Sequence, residues 1–189
     1  MKFTSLLVVL LLSCLTAFAG TLSGDIKATG QSAVTLETVP AKAFPAPKQS
    51  AAMDQRGMQF TPALLVIQQG TTVVFSNDDS VAHNVFWPNV SGNKKQSHNL
   101  GTFNKGKNLT FQYDNAGSVS LLCNVHPEMS GTIVVSPSPY FAATDAAGGY
   151  SIKDVPDGTY KATAWHNGKA TTENVTVKGD TKLDFTPAK

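Results

Sequence analysis

The sequence predicts an all-β chain of two small sandwiches. Three observations carry that expectation. Short runs rich in β-branched and aromatic residues recur through the 189 residues, turn signals separate them, and no long stretch shows apolar residues at a 3.6-residue period. Short strands at this spacing argue for sandwich architecture.

Residues 1–19 stand outside the predicted fold. Lys2 supplies a positive n-region, Leu6 to Leu12 an apolar h-region, and Ala17-Phe18-Ala19 a small-x-small cleavage site, which together read as a secretory signal cut after Ala19. The apolar run is too short and wrongly flanked to span a membrane. Leu11-Leu12-Ser13-Cys14 is a loose lipobox, a poorer fit because of the two apolar residues before Ser13. The expected location is the periplasm, with no membrane span.

The strand-like runs follow in order: Leu64–Ile67, Thr71–Phe75, Leu109–Tyr113, Ser118–Cys123, Thr132–Val135, Tyr150–Ile152, Thr159–Trp165, Glu173–Val177 and Leu183–Phe185. Between them stand Gln69-Gly70, Asn77-Asp78-Asp79, Asn115-Ala116-Gly117, Ala147-Gly148-Gly149, Pro156-Asp157-Gly158, Asn167-Gly168 and Lys178-Gly179-Asp180. Asn167-Gly168 between two runs is a type I′ hairpin signal, because both central residues of that turn need positive φ. Asn84 to Gly106 reads as a long polar connection with little strand character. Pro40 to Ser50 has linker texture, and Ser136-Pro137-Ser138-Pro139 is a stiffer joint.

Charge and cysteine content narrow the function. Lys+Arg 15 against Asp+Glu 13 gives +2; losing Lys2 leaves 14 against 13, a net +1. Such a chain has no strong electrostatic claim on nucleic acid or an anionic membrane. Cys14 leaves with the signal, so Cys123 stands alone and no internal disulfide can form. A lone thiol is often an inert core residue. In an oxidising compartment it is a liability unless something holds it.

What stands beside Cys123 favours a metal. Cys123-Asn124-Val125-His126-Pro127-Glu128-Met129, with His83 well upstream, supplies one thiolate, two imidazoles and one thioether. Thiolate plus imidazole selects copper, zinc, iron or nickel. Zinc prefers more Cys or His, or three firm ligands and water. Two His and one Cys with a weak axial Met is the recipe of a blue-copper electron-transfer site. A tight loop between two strand-like runs aims three of these side chains at one point, and Pro127 stiffens it.

The wider pattern is Gly70-x4-Phe75-x-Asn77-x-Asp79-x3-His83-Asn84-Val85, then Gly117, then Cys123-x2-His126-Pro127-x-Met129-x-Gly131. It resembles the cupredoxins of the plastocyanin/amicyanin type over roughly residues 53–136. The resemblance implies a Greek-key sandwich spanning 45–137 with one type 1 copper at one end. It implies His83 Nδ1, Cys123 Sγ, His126 Nδ1 and Met129 Sδ as ligands. It also implies that Asn84 hydrogen-bonds across to the Cys-bearing loop, a contact of the kind that tunes the metal.

A second resemblance covers Thr144 to Tyr160, which reads T-D-x-x-G-x-Y-x-I-x-x-V-P-x-G-x-Y in the manner of the carboxypeptidase-regulatory-like (transthyretin-like) sandwich. Gly24-Asp25-Ile26 and Ala33-Val34-Thr35-Leu36 fit that family's first strands. The favoured organisation is therefore discontinuous, with residues 21–39 and 140–189 forming one small sandwich and the metal unit inserted in it. The alternative is an N-terminal strand belonging to the metal unit and a free C-terminal sandwich.

Other candidates have plainer explanations. Asp78-Asp79 reads as a turn rather than a calcium or catalytic pair. His98 and His166 lack a ligand-like neighbourhood and are expected to face solvent. Met58 is expected to pack beside Phe60. Asn89-x-Ser91 and Asn108-x-Thr110 match the glycosylation pattern by coincidence.

The expectation is a periplasmic protein that carries single electrons, with a redox partner docking near His126 and with Pro127, Trp87 and Pro88 on that surface. The alternative is a copper carrier or store, or an envelope scaffold. An enzyme of the reductase or oxidase kind needs further copper sites, and four His, two of them already used, are too few.

Overall fold

A computed structural model describes residues 18–187, so the predicted signal, apart from Phe18 and Ala19, lies outside the described residues. Sixteen strands and one short 3-10 turn (Lys94–Gln96) make up the regular structure among them. In chain order they are β1 (Ala19–Asp25), β2 (Ser32–Thr38), β3 (Ala51–Gln55), β4 (Phe60–Thr61), β5 (Leu64–Gln68), β6 (Thr71–Asn77), β7 (His83–Trp87), β8 (His98–Phe103), β9 (Asn108–Tyr113), β10 (Gly117–Leu122), β11 (Ser130–Ser136), β12 (Phe141–Ala143), β13 (Gly149–Pro156), β14 (Gly158–His166), β15 (Lys169–Val177) and β16 (Thr181–Lys182). The protein is all-β, with no helix long and apolar enough to cross a membrane among the described residues.

Two sheets enclose the central core. One runs β5-β11-β10-β7-β8 and the other β4-β3-β6-β9. The period of two places alternate side chains inward. Thr71, Val73, Phe75 and Asn77 of β6 are buried, as are His83, Val85 and Trp87 of β7. They meet Met53, Phe60, Leu121, Ile133 and Val135 in one cluster, which also takes in Cys123 and Met129.

The remaining strands form sheets β13-β1-β16 and β12-β2-β14-β15 around a second cluster. That cluster draws Leu22, Ile26, Val34 and Leu36 from before the central unit, and Tyr150, Ile152, Tyr160 and Phe185 from after it. β2 pairs with β14 from Ser32↔His166 to Thr38↔Tyr160. Gly24 is required where β1 meets the chain at β16, since a Cβ there would lie 1.9 Å from the Leu183 carbonyl oxygen. Buried Ser138, in the joint after the central unit, donates to the Leu36 carbonyl at 2.5 Å and accepts the Tyr140 N–H at 3.1 Å.

The Asn167-Gly168 hairpin has the expected positive φ at both residues, 49° and 74°, with His166 opposite Lys169. Three expectations are corrected. The segment Asn84–Gly106 is not strandless: it carries most of β7 and all of β8. β8 lies at the edge of its sheet with most side chains exposed or half-buried, so it shows no apolar alternation to read. Leu183–Phe185 shrinks to Thr181–Lys182 and a single bridge of Phe185 to Ile26. Met58 does not pack away beside Phe60 but stands 48 % exposed at the β3–β4 turn.

Candidate metal centre

Each donor is placed by a strand end. His83 opens β7 on its inward face and is fully buried. β10 ends at Leu122, so Cys123 enters the connecting loop already on the core side, 3 % exposed. The loop turns through a bond from the Met129 N–H to the His126 carbonyl (3.0 Å) before β11 begins at Ser130. Met129 is buried in the core cluster, while His126 is half-buried and reaches the surface.

The donors converge. His83 Nδ1 and His126 Nδ1 face each other at 3.0 Å, with ring planes at 62°. One ligand atom each from His83, Cys123 and His126 lies within 4.8 Å of the others. Two backbone groups point at the thiol: Asn84 N–H at 3.3 Å and His126 N–H at 3.4 Å from Sγ. Hydrogen-bond donors aimed at a sulfur fix its orientation and tune a metal held by it. A buried sulfur flanked by two imidazole nitrogens is a donor set that fits a soft or borderline transition metal.

Asn84 bridges the two segments. Its side-chain oxygen accepts the Asn124 N–H at 3.4 Å, and its amide donates to Asn99 Oδ1 at 2.9 Å. The bond to β8 depends on a strand that has no signature in the sequence.

One residue with a part in the site reads in sequence only as a turn. Asp79 Oδ2 accepts a hydrogen bond from His83 Nε2 at 2.8 Å. Its carboxyl is lowered to about 2, chiefly by the Met58 N–H, against the cost of burial, with the Gly57 N–H and His83 assisting. Buried Asn77 shapes the loop between them, donating to the carbonyls of Val81 (2.9 Å) and Phe103 (3.0 Å) and accepting the Asp79 N–H (2.9 Å). A signal was available: Asp79 stands four residues before the candidate ligand His83, close enough to reach its far nitrogen.

Of the residues expected at the surface, Trp87 and His166 sit deeper, whereas His98 and Pro88 are exposed. Trp87 is 1 % exposed and stacks among His98, Phe111 and Tyr113. Four residues along a strand separate it from His83 by roughly 13 Å, and its inward face makes it core rather than docking surface. His98 is exposed as expected yet lies against Trp87 and Phe111. His166 is half-buried, with Ser32 at 2.8 Å from Nδ1 and Asn167 at 2.9 Å from Nε2.

Residues 47–136 match the family model for copper binding proteins of the plastocyanin/azurin family. The central unit is similar to that family over these residues and has the two-sheet β-sandwich such a match implies. Its cofactor is copper, and His83, Cys123 and His126 form the place for it. Residues 128–184 match a different model, polysaccharide lyase family 4, domain II. The family matched by the outer segment is therefore not the carboxypeptidase-regulatory-like one that Thr144–Tyr160 resembles. A short β-sandwich repeats the same turn and strand residues in several families, so that stretch discriminates poorly.

Among solved structures, the chain is similar to the copper-containing nitrite reductase of Thermus scotoductus SA-01 (25 % identity, TM-score 0.43, covering 46 % of this chain and 22 % of that one). It is also similar to a purple cupredoxin from Nitrosopumilus maritimus (29 %, TM-score 0.42, 46 % and 100 %). A third likeness is to a point mutant of amicyanin in its reduced Cu(I) form (21 %, TM-score 0.43, 55 % and 98 %). The chain thus spans less than a quarter of the reductase's length. The comparison with curated proteins found no match.

Proposed function

We propose that the protein is a periplasmic type 1 copper protein that carries single electrons between redox partners. The observation that carries this reading is the buried Cys123 Sγ, held by two backbone N–H groups and flanked by two facing imidazoles. His83, Cys123 and His126 would hold the copper, with the Met129 thioether as a weaker fourth ligand. Copper held there supplies a one-electron couple. The chain's part is to keep that donor set from rearranging. β7 fixes His83, the short loop fixes Cys123 and His126, and Asn84 ties one to the other.

His126 is the port, since its ring alone among the two imidazoles reaches the surface. Val81 and Val125, 44 % and 45 % exposed, and exposed Pro127 lie within two residues of a ligand and present an apolar face. A small apolar face suits a transient redox encounter. Support for a carrier over a multi-copper enzyme comes from the remaining histidines, which are engaged with Trp87 and Phe111 or with Ser32 and Asn167. Export rests on the Lys2 to Ala19 signal.

Voltammetry of the copper-loaded protein tests the reading. A reversible one-electron couple that persists through repeated cycles is expected. Rapid metal exchange with a chelator and no reversible couple would move the protein to copper storage or delivery.

A further inference from the structure

The β3–β4 turn is built around a carboxylate. Arg56 and Gln59 close it with reciprocal backbone bonds (3.0 and 3.2 Å), and its central residues Gly57 and Met58 have φ of 62° and 55°. Positive φ is routine for glycine and uncommon for methionine. This conformation turns both central N–H groups onto one side chain: Gly57 N–H meets Asp79 Oδ1 at 2.7 Å and Met58 N–H meets Asp79 Oδ2 at 2.9 Å. The neighbouring cation is engaged elsewhere, since Arg56 pairs with Asp54 at 3.3 Å and with Asp78. Asp79 therefore keeps its charge for His83 Nε2, 2.8 Å away on a fully buried ring.

An ionised carboxylate has no proton to give, so Nε2 of His83 must be the protonated nitrogen. Nδ1 is then the lone-pair nitrogen, and it is the one that faces His126. We propose that Asp79, gripped by the Gly57–Met58 turn, is a positioning residue that locks the His83 tautomer and lowers the reduction potential of the copper site. The inference rests on the copper electron-transfer reading. A negative charge held against the buried imidazole favours Cu(II), the more positive oxidation state, over Cu(I). The exposed turn becomes part of the machinery that sets the potential, although none of its residues touches metal.

The test compares wild type, Asp79→Asn and Asp79→Glu. Asparagine keeps the shape but loses the charge and one acceptor, so three N–H donors meet one oxygen. Long-range nitrogen NMR of the metal-free protein should show the His83 proton on Nε2 in wild type and a mixed or reversed tautomer in Asp79→Asn. Titrations of the two copper oxidation states should show Asp79→Asn losing Cu(II) affinity on the order of 10-fold more than Cu(I) affinity. That ratio corresponds to a rise in potential of about 59 mV. Asp79→Glu, which restores the charge, should recover most of the shift.

A merely structural role would weaken both oxidation states alike and leave the potential unmoved, which would overturn the proposal. A wild-type His83 protonated on Nδ1 would overturn it whatever the metal does. A locked Nε2 tautomer in a protein with no reversible couple would instead sink the electron-carrier reading, and the potential-setting role with it.

Discussion

Replacing Asn84 with alanine probes the join between the two ligand-bearing segments. The substitution spares the backbone N–H that points at Cys123 Sγ (3.3 Å) and removes two side-chain bonds, the 3.4 Å bond from Asn124 N–H and the 2.9 Å bond to Asn99 Oδ1. A net hydrogen bond contributes about 1 kcal/mol. The first bond is long, and Asn124 is exposed, so water can replace it; Asn99 Oδ1 still accepts the Gly101 N–H at 2.8 Å. The expected cost is therefore about 1–2 kcal/mol. For a unit of this size that lowers the midpoint of its transition by about 4–16 °C. Thermal unfolding of the metal-free protein followed by near-ultraviolet circular dichroism measures it. Asn99→Ala serves as the control, because it removes the bond to β8 and leaves the ligand-loop bond intact. In the copper-loaded proteins, Asn84→Ala should release metal to a chelator faster than Asn99→Ala. Equal release rates together with an unchanged midpoint in Asn84→Ala would refute the bridging role.

Other perturbations have distinct signatures. Trp87→Ala empties a site that is 1 % exposed and should cost about 3–5 kcal/mol. It should leave the copper spectrum unchanged, which a visible scan of the loaded variant checks. Gly24→Ala would set a Cβ 1.9 Å from the Leu183 carbonyl oxygen. It should cost roughly 1–3 kcal/mol or more and move only the outer sandwich's transition in a calorimetric scan. Asp79 has a carboxyl lowered from its ordinary 3.8 to about 2, so its contribution is present above about pH 4 and is lost as pH falls through about 2. The stability gap between wild-type and Asp79→Asn apoprotein should hold near neutrality and close between pH 4 and 2. A gap that widens in acid would contradict the assignment.

Much of this arrangement is legible in the sequence because the informative features are local. Cys123, His126 and Met129 occupy one short loop, and a loop between paired strands can aim its side chains at few places. Alternation exposes β6, where Val73 and Phe75 point inward. β8 leaves no such trace, because an edge strand with most side chains toward solvent carries no apolar signature. Trp87 misleads for a related reason. Its nearness to His83 in sequence suggests the same surface, whereas a strand carries it along the sheet and into the core. Asp79 looks like turn chemistry, which it also is; its bond to His83 depends on the β3–β4 turn packing against it from another part of the chain. The outer segment misleads most, since Thr144 to Tyr160 has turn and strand residues that serve more than one sandwich family.

The central claim is a copper–thiolate redox site, and the visible spectrum of the Cu(II)-loaded protein tests it most directly, measured beside Cys123→Ala and Met129→Ala. Intense blue absorption, abolished by Cys123→Ala and shifted by Met129→Ala, is the predicted result. A colourless protein, or a pale one indifferent to Cys123, would contradict it.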